Sequence, residues 1–196
     1  MVRFALRCDD SLLLSARRCA VALFLLGLGA QAGCHGSSVP GQGTPALGLT
    51  SSNIHAGEIP KKCTCDSEDG SPELAWTGAP AGTQSFALIM IDLDAPMGEF
   101  AHWAIYDLPA AARELPEELP AQEQLADGSR QGRNDFGRIG YGGPCPPGSS
   151  PHRYVFRLYA LDTKLNLPAG ATRSQVEEAM KGHILAHGEL MGRYQR

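Results

Sequence analysis

The sequence predicts a mainly β fold, an antiparallel sandwich or barrel, with one helix near the C-terminus. Three observations support this fold class. Strand-like apolar runs recur along the chain, turns containing Gly and Pro separate them, and no regular helical segments lie between them. The chain of 196 residues contains 23 Gly and 14 Pro, which is above the usual share of these turn-forming residues.

The composition narrows the class of protein. With 43% hydrophobic and 19% charged residues, the chain is typical of globular proteins, and collagen-like, coiled-coil and wholly disordered structures are excluded. The length allows one domain preceded by an N-terminal extension. Because the net charge is −4 and no run of Lys or Arg occurs, we expect no nucleic-acid partner.

Three runs have the length and composition of strands. Residues 85–93 (SFALIMIDL) are almost continuously apolar, as expected for a strand that is buried on both faces. Residues 102–108 (HWAIYDL) and 153–161 (RYVFRLYAL) are the second and third runs. Shorter strand candidates are residues 59–64 and 73–76.

The C-terminal segment follows a different pattern, which predicts a helix over residues 174–191. Ser174 and Glu177 form a capping-box pattern at its start. The apolar residues that recur at helical spacing are Val176, Met180, Ile184 and Met191. His183 and His187 would then lie one turn apart. We interpret them as partly buried surface residues, and a metal site is the alternative.

Residues 1–33 are predicted to be an export signal. Residues 19–30 (CAVALFLLGLGA) carry no charge and follow Arg17 and Arg18. This run is shorter than the roughly 20 apolar residues that span a bilayer, but it suits the apolar centre of a signal peptide. Cleavage after Ala32 would release a soluble periplasmic protein. Cleavage before Cys34, in a sequence that resembles a lipoprotein box, would leave a lipid anchor in the cell envelope.

The mature chain is predicted to begin with a flexible tether, residues 34–52, rich in Gly, Ser and Pro. Residues 53–196 then form one domain. Residues 1–33 contain four Arg and two Asp, so their removal would change the net charge from −4 to −6. After export, the cysteines of the domain would be in an oxidising compartment, where disulfides persist.

The domain contains Cys63, Cys65 and Cys145. Cys63 and Cys65 would point the same way on a strand, and either of them could pair with Cys145. We name Cys65 and Cys145 as the candidate disulfide and leave the choice between Cys63 and Cys65 open. A Cys-x-Cys zinc site is a weaker alternative, since only one further cysteine is available.

Reactive side chains gather at the ends of the predicted strands, where a rigid sheet presents functional groups. Asp92 and Asp94 close the first strand, His102 opens the second, and His152 precedes the third. A His beside a carboxylate can offer N–H donors to an oxyanion. Hydroxyl groups of Tyr154 or Tyr141 and backbone N–H groups near Gly142 and Gly143 would complete such a pocket.

Other uses of these residues remain open. His102, His152 and Asp92 would also make a two-histidine, one-carboxylate metal set, although no tight metal-ligand spacing supports it. Serine hydrolysis is disfavoured because no Gly-x-Ser-x-Gly elbow occurs. Asp94 alone is more typical of a turn, and a residue such as His102 is equally often a hydrogen-bonded core residue. Residues 133–136 (RNDF) either dock a ligand or form a loop anchored by Phe136.

Segments throughout the domain resemble the phosphatidylethanolamine-binding protein family, in its bacterial and archaeal Raf-kinase-inhibitor-like branch. The matching segments, in the family's order, are 59–62 (IPKK), 64–66 (TCD), 71–76 (SPELAW), 80–83 (PAGT), 85–88 (SFAL), 92–96 (DLDAP), 102–103 (HW), 134–137 (NDFG), 139–148 (IGYGGPCPPG), 152–154 (HRY), 182–186 (GHILA) and 189–192 (ELMG). They cover nearly all of the predicted domain.

This resemblance implies a Greek-key β-sandwich with a small anion pocket that takes phosphate, phosphorylated head groups or acetate. The positions that match the family's pocket are Asp92, Asp94, His102, Gly143, Pro144, His152 and Tyr154. The resemblance also suggests a cis bond before Pro96. Leu93 stands where the family usually has Pro between the two Asp, which predicts a looser turn.

The resulting hypothesis is an exported, non-enzymatic module that binds a small anion or a phosphorylated head group, with no cofactor and no metal. Two alternatives belong to other classes. One is a phosphoester hydrolase or lyase that uses His102 and Asp92 as an acid–base pair. The other is a protein that inhibits a protease or another partner through residues 144–151. Any protein partner and the oligomeric state stay open.

Overall fold

Residues 46–196, the part of the chain that the computed structural model describes, form two antiparallel β-sheets, a short 3₁₀ helix and one α-helix. The elements in chain order are β1 (Gly48–Thr50), the 3₁₀ helix (Lys61–Cys63), β2 (Leu74–Thr77), β3 (Ser85–Asp92), β4 (Phe100–Pro109), β5 (Glu114–Leu115), β6 (Arg130–Gln131), β7 (His152–Leu161), α1 (Arg173–Met180) and β8 (Ile184–Tyr194). The predicted export signal, 1–33, and Cys34 lie outside the described residues.

The two sheets confirm the prediction of a mainly β sandwich. The small sheet has the order β1-β2-β5 and the large sheet has the order β6-β4-β3-β7-β8. In the large sheet β3, β4 and β6 lie side by side in chain order, and β7 returns to the free side of β3. That is the Greek-key arrangement of four antiparallel strands.

The central strand β3 is buried along its whole length, as its apolar run predicts. Phe86, Leu88 and Met90 face the core between the two sheets, where Trp76 of β2 packs edge-on against Phe86. The alternate residues, such as Ile89, belong to a second cluster that includes Val176 of α1. Both faces of the large sheet are therefore covered, which explains why β3 has no polar face.

Two predictions near the N-terminal side of the domain need correction. Strand β1 pairs with β2 from Gly48 to Thr50, so the last part of the segment 34–52 belongs to the sheet and is not a free tether. Residues 59–64, predicted as a strand, contain the 3₁₀ helix instead. There the N–H groups of Cys63 and Thr64 bond to carbonyls three residues back, and the Thr64 hydroxyl donates to Lys61 O.

The predicted helix 174–191 is correct only in its first half. α1 ends at Met180, and the following residues form β8, which pairs with β7. Pairing with a distant strand overrides the local helical spacing. The capping box is centred on Thr172 and Gln175 rather than on Ser174 and Glu177. His183 and His187 consequently do not lie on one helix, and His183 Nδ1 binds Asp162 at 2.8 Å.

The structure resolves the open cysteine pairing. Cys65 and Cys145 form a disulfide with Cα atoms 5.4 Å apart, and they are 80 residues apart in the chain. Cys63 is a free, buried thiol, and burial raises its pKa to about 11. The thiol therefore stays neutral and unreactive at ordinary pH. The disulfide joins the 3₁₀ segment to the Pro- and Gly-rich loop after Tyr141.

Within residues 46–196 no helix is long and apolar enough to cross a membrane.

Removal of this disulfide should destabilise the domain. Because the bridge closes a loop of 80 residues, the chain-entropy model predicts a loss of roughly 4 kcal/mol in the free energy of unfolding when both cysteines become Ser. Urea unfolding measures it. Cys63→Ala is the control, because the oxidised and reduced forms of that variant should still differ by a similar amount. A Cys63→Ala variant insensitive to reductant would contradict the Cys65–Cys145 pairing.

Candidate functional site

The predicted site residues meet at one end of the large sheet. Asp92 is the last residue of β3, and it pairs with Phe100 at the start of β4 and with Tyr154 near the start of β7. Because neighbouring strands run antiparallel, the end of β3 lies beside the beginnings of β4 and β7. This places Asp92, His102 and His152 close together although they are far apart in sequence.

A cavity of about 150 Å³ opens at this end of the sheet. Its lining residues are Asp92, Ala95, Pro96, Phe100, His102, Phe136, Cys145 and Pro147. Pockets for drug-sized molecules have roughly 300–1,000 Å³, and a water molecule takes about 30 Å³ in the liquid. The cavity therefore has room for a group the size of phosphate or acetate, together with little else.

His102 is held firmly inside the wall of the cavity. Its side chain is on the buried strand β4 with 2% of the residue exposed, and its Nδ1–H donates to Gly142 O at 2.6 Å. The rings of Phe100, Phe136 and Tyr154 pack edge-on against the imidazole. Burial lowers the pKa of His102, although the Gly142 carbonyl and the Asp92 charge oppose this shift. The neutral imidazole thus leaves Nε2 for a ligand.

Asp92 is bound on both of its oxygens. Oδ2 accepts a hydrogen bond from His152 Nδ1 at 2.8 Å, and Oδ1 accepts one from the backbone N–H of Asp94 at 2.8 Å. Since an ionised carboxylate has about four acceptor positions, each oxygen retains capacity for a ligand. His152 therefore acts on the cavity through Asp92.

Tyr154 lies beneath this pair. Its ring stacks on His152 with centroids 6.4 Å apart, and its hydroxyl is buried without a hydrogen-bond partner among the described residues. Burial and then the nearby negative charge of Asp92 raise the pKa of Tyr154. The phenol therefore stays protonated, next to the acidic end of the site.

Asp94 belongs to a neighbouring structural contact and does not line the cavity. Its carboxylate accepts hydrogen bonds from the backbone N–H and the guanidinium of Arg153, and these bonds lower the pKa of Asp94 to about 2. This contact ties the loop after β3 to the start of β7. The bond before Pro96 is trans, so the suggestion of a cis bond is wrong.

The polar groups of the loop at Gly143 and Pro144 form hydrogen bonds with other parts of the protein. The N–H of Gly142 donates to His102 O, and the N–H of Gly143 donates to Asp69 Oδ1 at 2.6 Å. The Pro144 carbonyl accepts from Cys65 N–H, and the Tyr141 hydroxyl donates to Cys63 O. The N–H groups of Gly142 and Gly143 and the Tyr141 hydroxyl, which the sequence offers as oxyanion donors, are therefore already used inside the protein.

The aromatic wall is the part of the site that sequence reasoning missed. No sequence motif singles out Phe100, and Phe136 belongs to the segment 133–136, which on sequence either docks a ligand or forms a loop anchored by Phe136. Their rings contact each other with centroids 4.7 Å apart and both contact His102. Phe136 is also 41% exposed, with the Arg138 guanidinium 5.3 Å from its ring centre. The sequence signal that could have identified these two residues is their position as apolar side chains close to polar residues at a strand end.

In the described part of the chain, no three His, Cys, Asp or Glu side chains are grouped as a metal ion requires. The alternative metal set of His102, His152 and Asp92 is therefore not assembled here.

Comparison with known proteins decides the family. The family model described as "Phosphatidylethanolamine-binding protein" matches residues 50–195. The chain belongs to this family. The match covers the whole described domain apart from its first and last residues, and it agrees with the segments that carry the resemblance in the sequence.

Relatives of several organisms share the domain. A UPF0098 protein of Aquifex aeolicus is 52% identical over 141 residues, which are 71% of this chain and 82% of the relative. The crystal structure of CT736 from Chlamydia trachomatis, a phosphatidylethanolamine-binding protein homologue, has a TM-score of 0.70 at 40% identity and covers 78% of this chain and 99% of its own. Escherichia coli YbcL has a TM-score of 0.70 at 31% identity, covering 76% and 98%.

One departure from the usual family pattern has a consequence that the sequence does not show. Leu93 replaces Pro between Asp92 and Asp94, which predicts a looser turn. Instead, the Leu93 N–H donates to Arg153 O at 2.9 Å, a bond that proline cannot make. This bond extends the pairing of β3 with β7 and supports the Asp94–Arg153 contact beside it.

The tight loop behind His102 can be tested by adding one methyl group. In Gly143→Ala, the new Cβ would collide with the Cys63 carbonyl and with Asp69 Oδ1. We expect a loss of about 2 kcal/mol in the free energy of unfolding, measured in urea. Gly70→Ala is the matched control, since its Cβ would meet only the Glu118 side chain. Equal free energies of unfolding for the two variants would contradict the prediction, because they would show that the loop can shift to accommodate the added methyl group.

Proposed function

We propose that the protein binds a small oxyanion, free or as the phosphorylated head group of a larger molecule, in the cavity between Asp92, His102 and Phe136. The observation that carries this proposal is the cavity of about 150 Å³, where a buried imidazole and a His-bound carboxylate converge from separate strands. Family membership supports it, because the family's name describes binding of a phospholipid with such a head group.

The size of the cavity determines how much of a ligand is enclosed. A phosphate or carboxylate group fits, and the rest of a larger ligand stays outside. The aromatic and proline walls remove water from the bound group, which strengthens the few hydrogen bonds that the site makes. With so few polar groups in contact, we expect weak affinity for the isolated anion.

Charge contributes to recognition only at short range. The chain has a net charge of −4, so it does not steer anions over long distances. The Arg138 guanidinium, which lies over the outer part of the aromatic wall, is the charge best placed to favour an anion near the cavity. It also binds Asp69, which partly offsets its effect.

We also propose that the protein is exported and acts in the periplasm or, through Cys34, on the cell envelope. The apolar run of residues 19–30 after Arg17 and Arg18 supports a signal peptide. The Cys65–Cys145 disulfide is consistent with folding in an oxidising compartment, because disulfides rarely persist in the cytosol.

Substitution of His102 tests the ligand site. His102→Ala should weaken binding of inorganic phosphate and of phosphoethanolamine at least about tenfold, because it removes the only imidazole among the cavity-lining residues. Titration calorimetry measures the affinity, and His102→Gln guards against misfolding of the alanine variant. His183→Ala is the control for loss of a histidine elsewhere, since His183 binds Asp162 at 2.8 Å near the opposite end of β7. Unchanged binding in both His102 variants would reject the site.

The same titrations address the catalytic alternative. His102 and Asp92 share one cavity, which an acid–base pair requires. If the wild type hydrolyses phosphoesters and His102→Gln does not, the protein is an enzyme and not a binding module. Binding without turnover is the outcome that we expect.

The export proposal predicts the mass of the protein recovered from cells that express the full chain. A lipoprotein should begin at a lipid-modified Cys34, and a soluble periplasmic form should begin at Gly33. Intact mass spectrometry of envelope and periplasmic fractions separates the two, with Cys34→Ala as the variant that cannot be lipid-modified there. A chain that keeps residues 1–33 and stays in the cytosol is the result that would count against export.

A further inference from the structure

A second groove lies where the edge of the small sheet meets the loop that precedes β6. It has a volume of about 320 Å³ and shares no lining residue with the cavity beside Asp92 and His102. This volume is at the lower end of the roughly 300–1,000 Å³ that is usual for small-molecule sites. In the described chain β5 is an outermost strand of the small sheet, which leaves the groove accessible at this edge.

The floor and walls of the groove are mainly apolar. Leu115 on β5 is buried in the core between the two sheets, and the half-buried Leu119 and Leu125 pack against that core. The apolar lining residues are Leu115, Pro116, Leu119, Pro120, Leu125 and Ala126. An alkyl chain placed here would lose its contact with water and extend the packing of the core, which is favourable.

The backbone along the groove offers little to a bound peptide. Pro116 and Pro120 have no N–H group. The N–H groups of Leu119, Gln122 and Leu125 already donate to other groups of the protein. A peptide in the groove would therefore gain few main-chain hydrogen bonds, whereas an aliphatic chain needs none. This lining favours a small apolar ligand over a protein segment.

The rim of the groove is negatively charged. Residues 114–127 contain five carboxylates and no Lys, Arg or His, and two of the five, Glu114 and Asp127, line the groove. Within residues 46–196, the one member of this set that forms an ion pair is Glu117, whose partner is Lys62. A cation at the rim would therefore meet carboxylates that no basic side chain has already neutralised.

The two arginines that flank this segment in the chain bind elsewhere. The Arg113 guanidinium donates to the carbonyl groups of Ala110 and Ala112. The Arg130 guanidinium donates to Leu167 O. Neither arginine lines the groove, so the rim keeps its negative charge.

We propose that this groove binds a small cationic amphiphile, an organic ammonium ion with an apolar chain. The chain lies against Leu115 and Leu119, and the charged head lies at the rim with Glu114 and Asp127. Burial of the chain and charge-assisted hydrogen bonds from the ammonium group to carboxylates provide the affinity. The site goes beyond the proposed oxyanion site, because it has the opposite charge preference and no residue in common with it.

Two ligands of equal chain length and opposite charge test the proposal. In NMR titrations of the full chain at pH 7, octylammonium should shift the backbone amide signals of residues 114–127. Its affinity should be at least about tenfold higher than the affinity of octanoate read from the same signals. Because only this segment is read, a carboxylate bound in the oxyanion cavity does not count. Salt at about 1 M should reduce the difference.

The length of the chain provides a second readout. Butylammonium carries the same charge and lacks four methylene groups, each of which contributes roughly fourfold in affinity when it is fully buried. Octylammonium should therefore bind at least about tenfold more tightly than butylammonium. Equal affinities would show attraction to an acidic surface alone and would overturn the proposed groove.

Two lysine substitutions locate the site. Ala126→Lys places a cation and a long side chain in the groove, so the octylammonium affinity should fall at least about tenfold. Ala121→Lys is the matched control, because Ala121 is exposed in the same segment and does not line the groove. Screening by salt should keep its affinity within about twofold of the wild type. Equal losses in the two variants would contradict the assigned site.

The outcomes are separate from those of the oxyanion proposal. His102→Gln should leave octylammonium binding unchanged, whatever its effect on phosphate. No octylammonium-induced shifts in residues 114–127, or equal affinity for octanoate there, would overturn this inference and leave the oxyanion site standing. Octylammonium binding in a protein that binds no phosphate or phosphoethanolamine would overturn only the oxyanion site.

Discussion

The register of β3 against its two neighbours is the constraint on which the rest of the site depends. Asp92 lies opposite Phe100 on β4 and Tyr154 on β7, and side chains alternate between the faces of a strand. A shift of one residue would turn every side chain of β3 to the other face of the sheet. Since β3 packs against the second sheet on one face and α1 on the other, such a shift would exchange the side chains of two separately packed core clusters.

The loops that complete the cavity are each attached to the sheet by a separate interaction. Arg153 holds Asp94 and the loop after β3. The disulfide holds the loop that contains Cys145, which itself lines the cavity. Gly142 connects that loop to His102. The walls are therefore held by contacts within the protein, and little ordering would accompany binding of the proposed anion. Oxidation of Cys65 and Cys145 to the disulfide is part of building the site, which relates the proposed export to the proposed binding.

Most hydrogen-bonding groups near the cavity serve the protein rather than a ligand. Several residues that match the family's pocket therefore use their polar atoms in contacts within the protein. His152 and the Gly143 loop hold the site in place, and the proposed anion would contact Asp92 and His102.

The mainly β class, the strands β3, β4 and β7 and the residues Asp92, His102 and His152 at their ends could be predicted from the amino-acid sequence, because apolar runs and turn chemistry are local properties. The family resemblance added the Greek-key order. Three features became apparent only from the folded chain: Cys65 rather than Cys63 pairs with Cys145, residues 184–194 form a strand instead of extending a helix, and Phe100 and Phe136 line the cavity. These features depend on contacts between segments far apart in the chain, and local periodicity carries no information about which distant backbone or side chain will satisfy them.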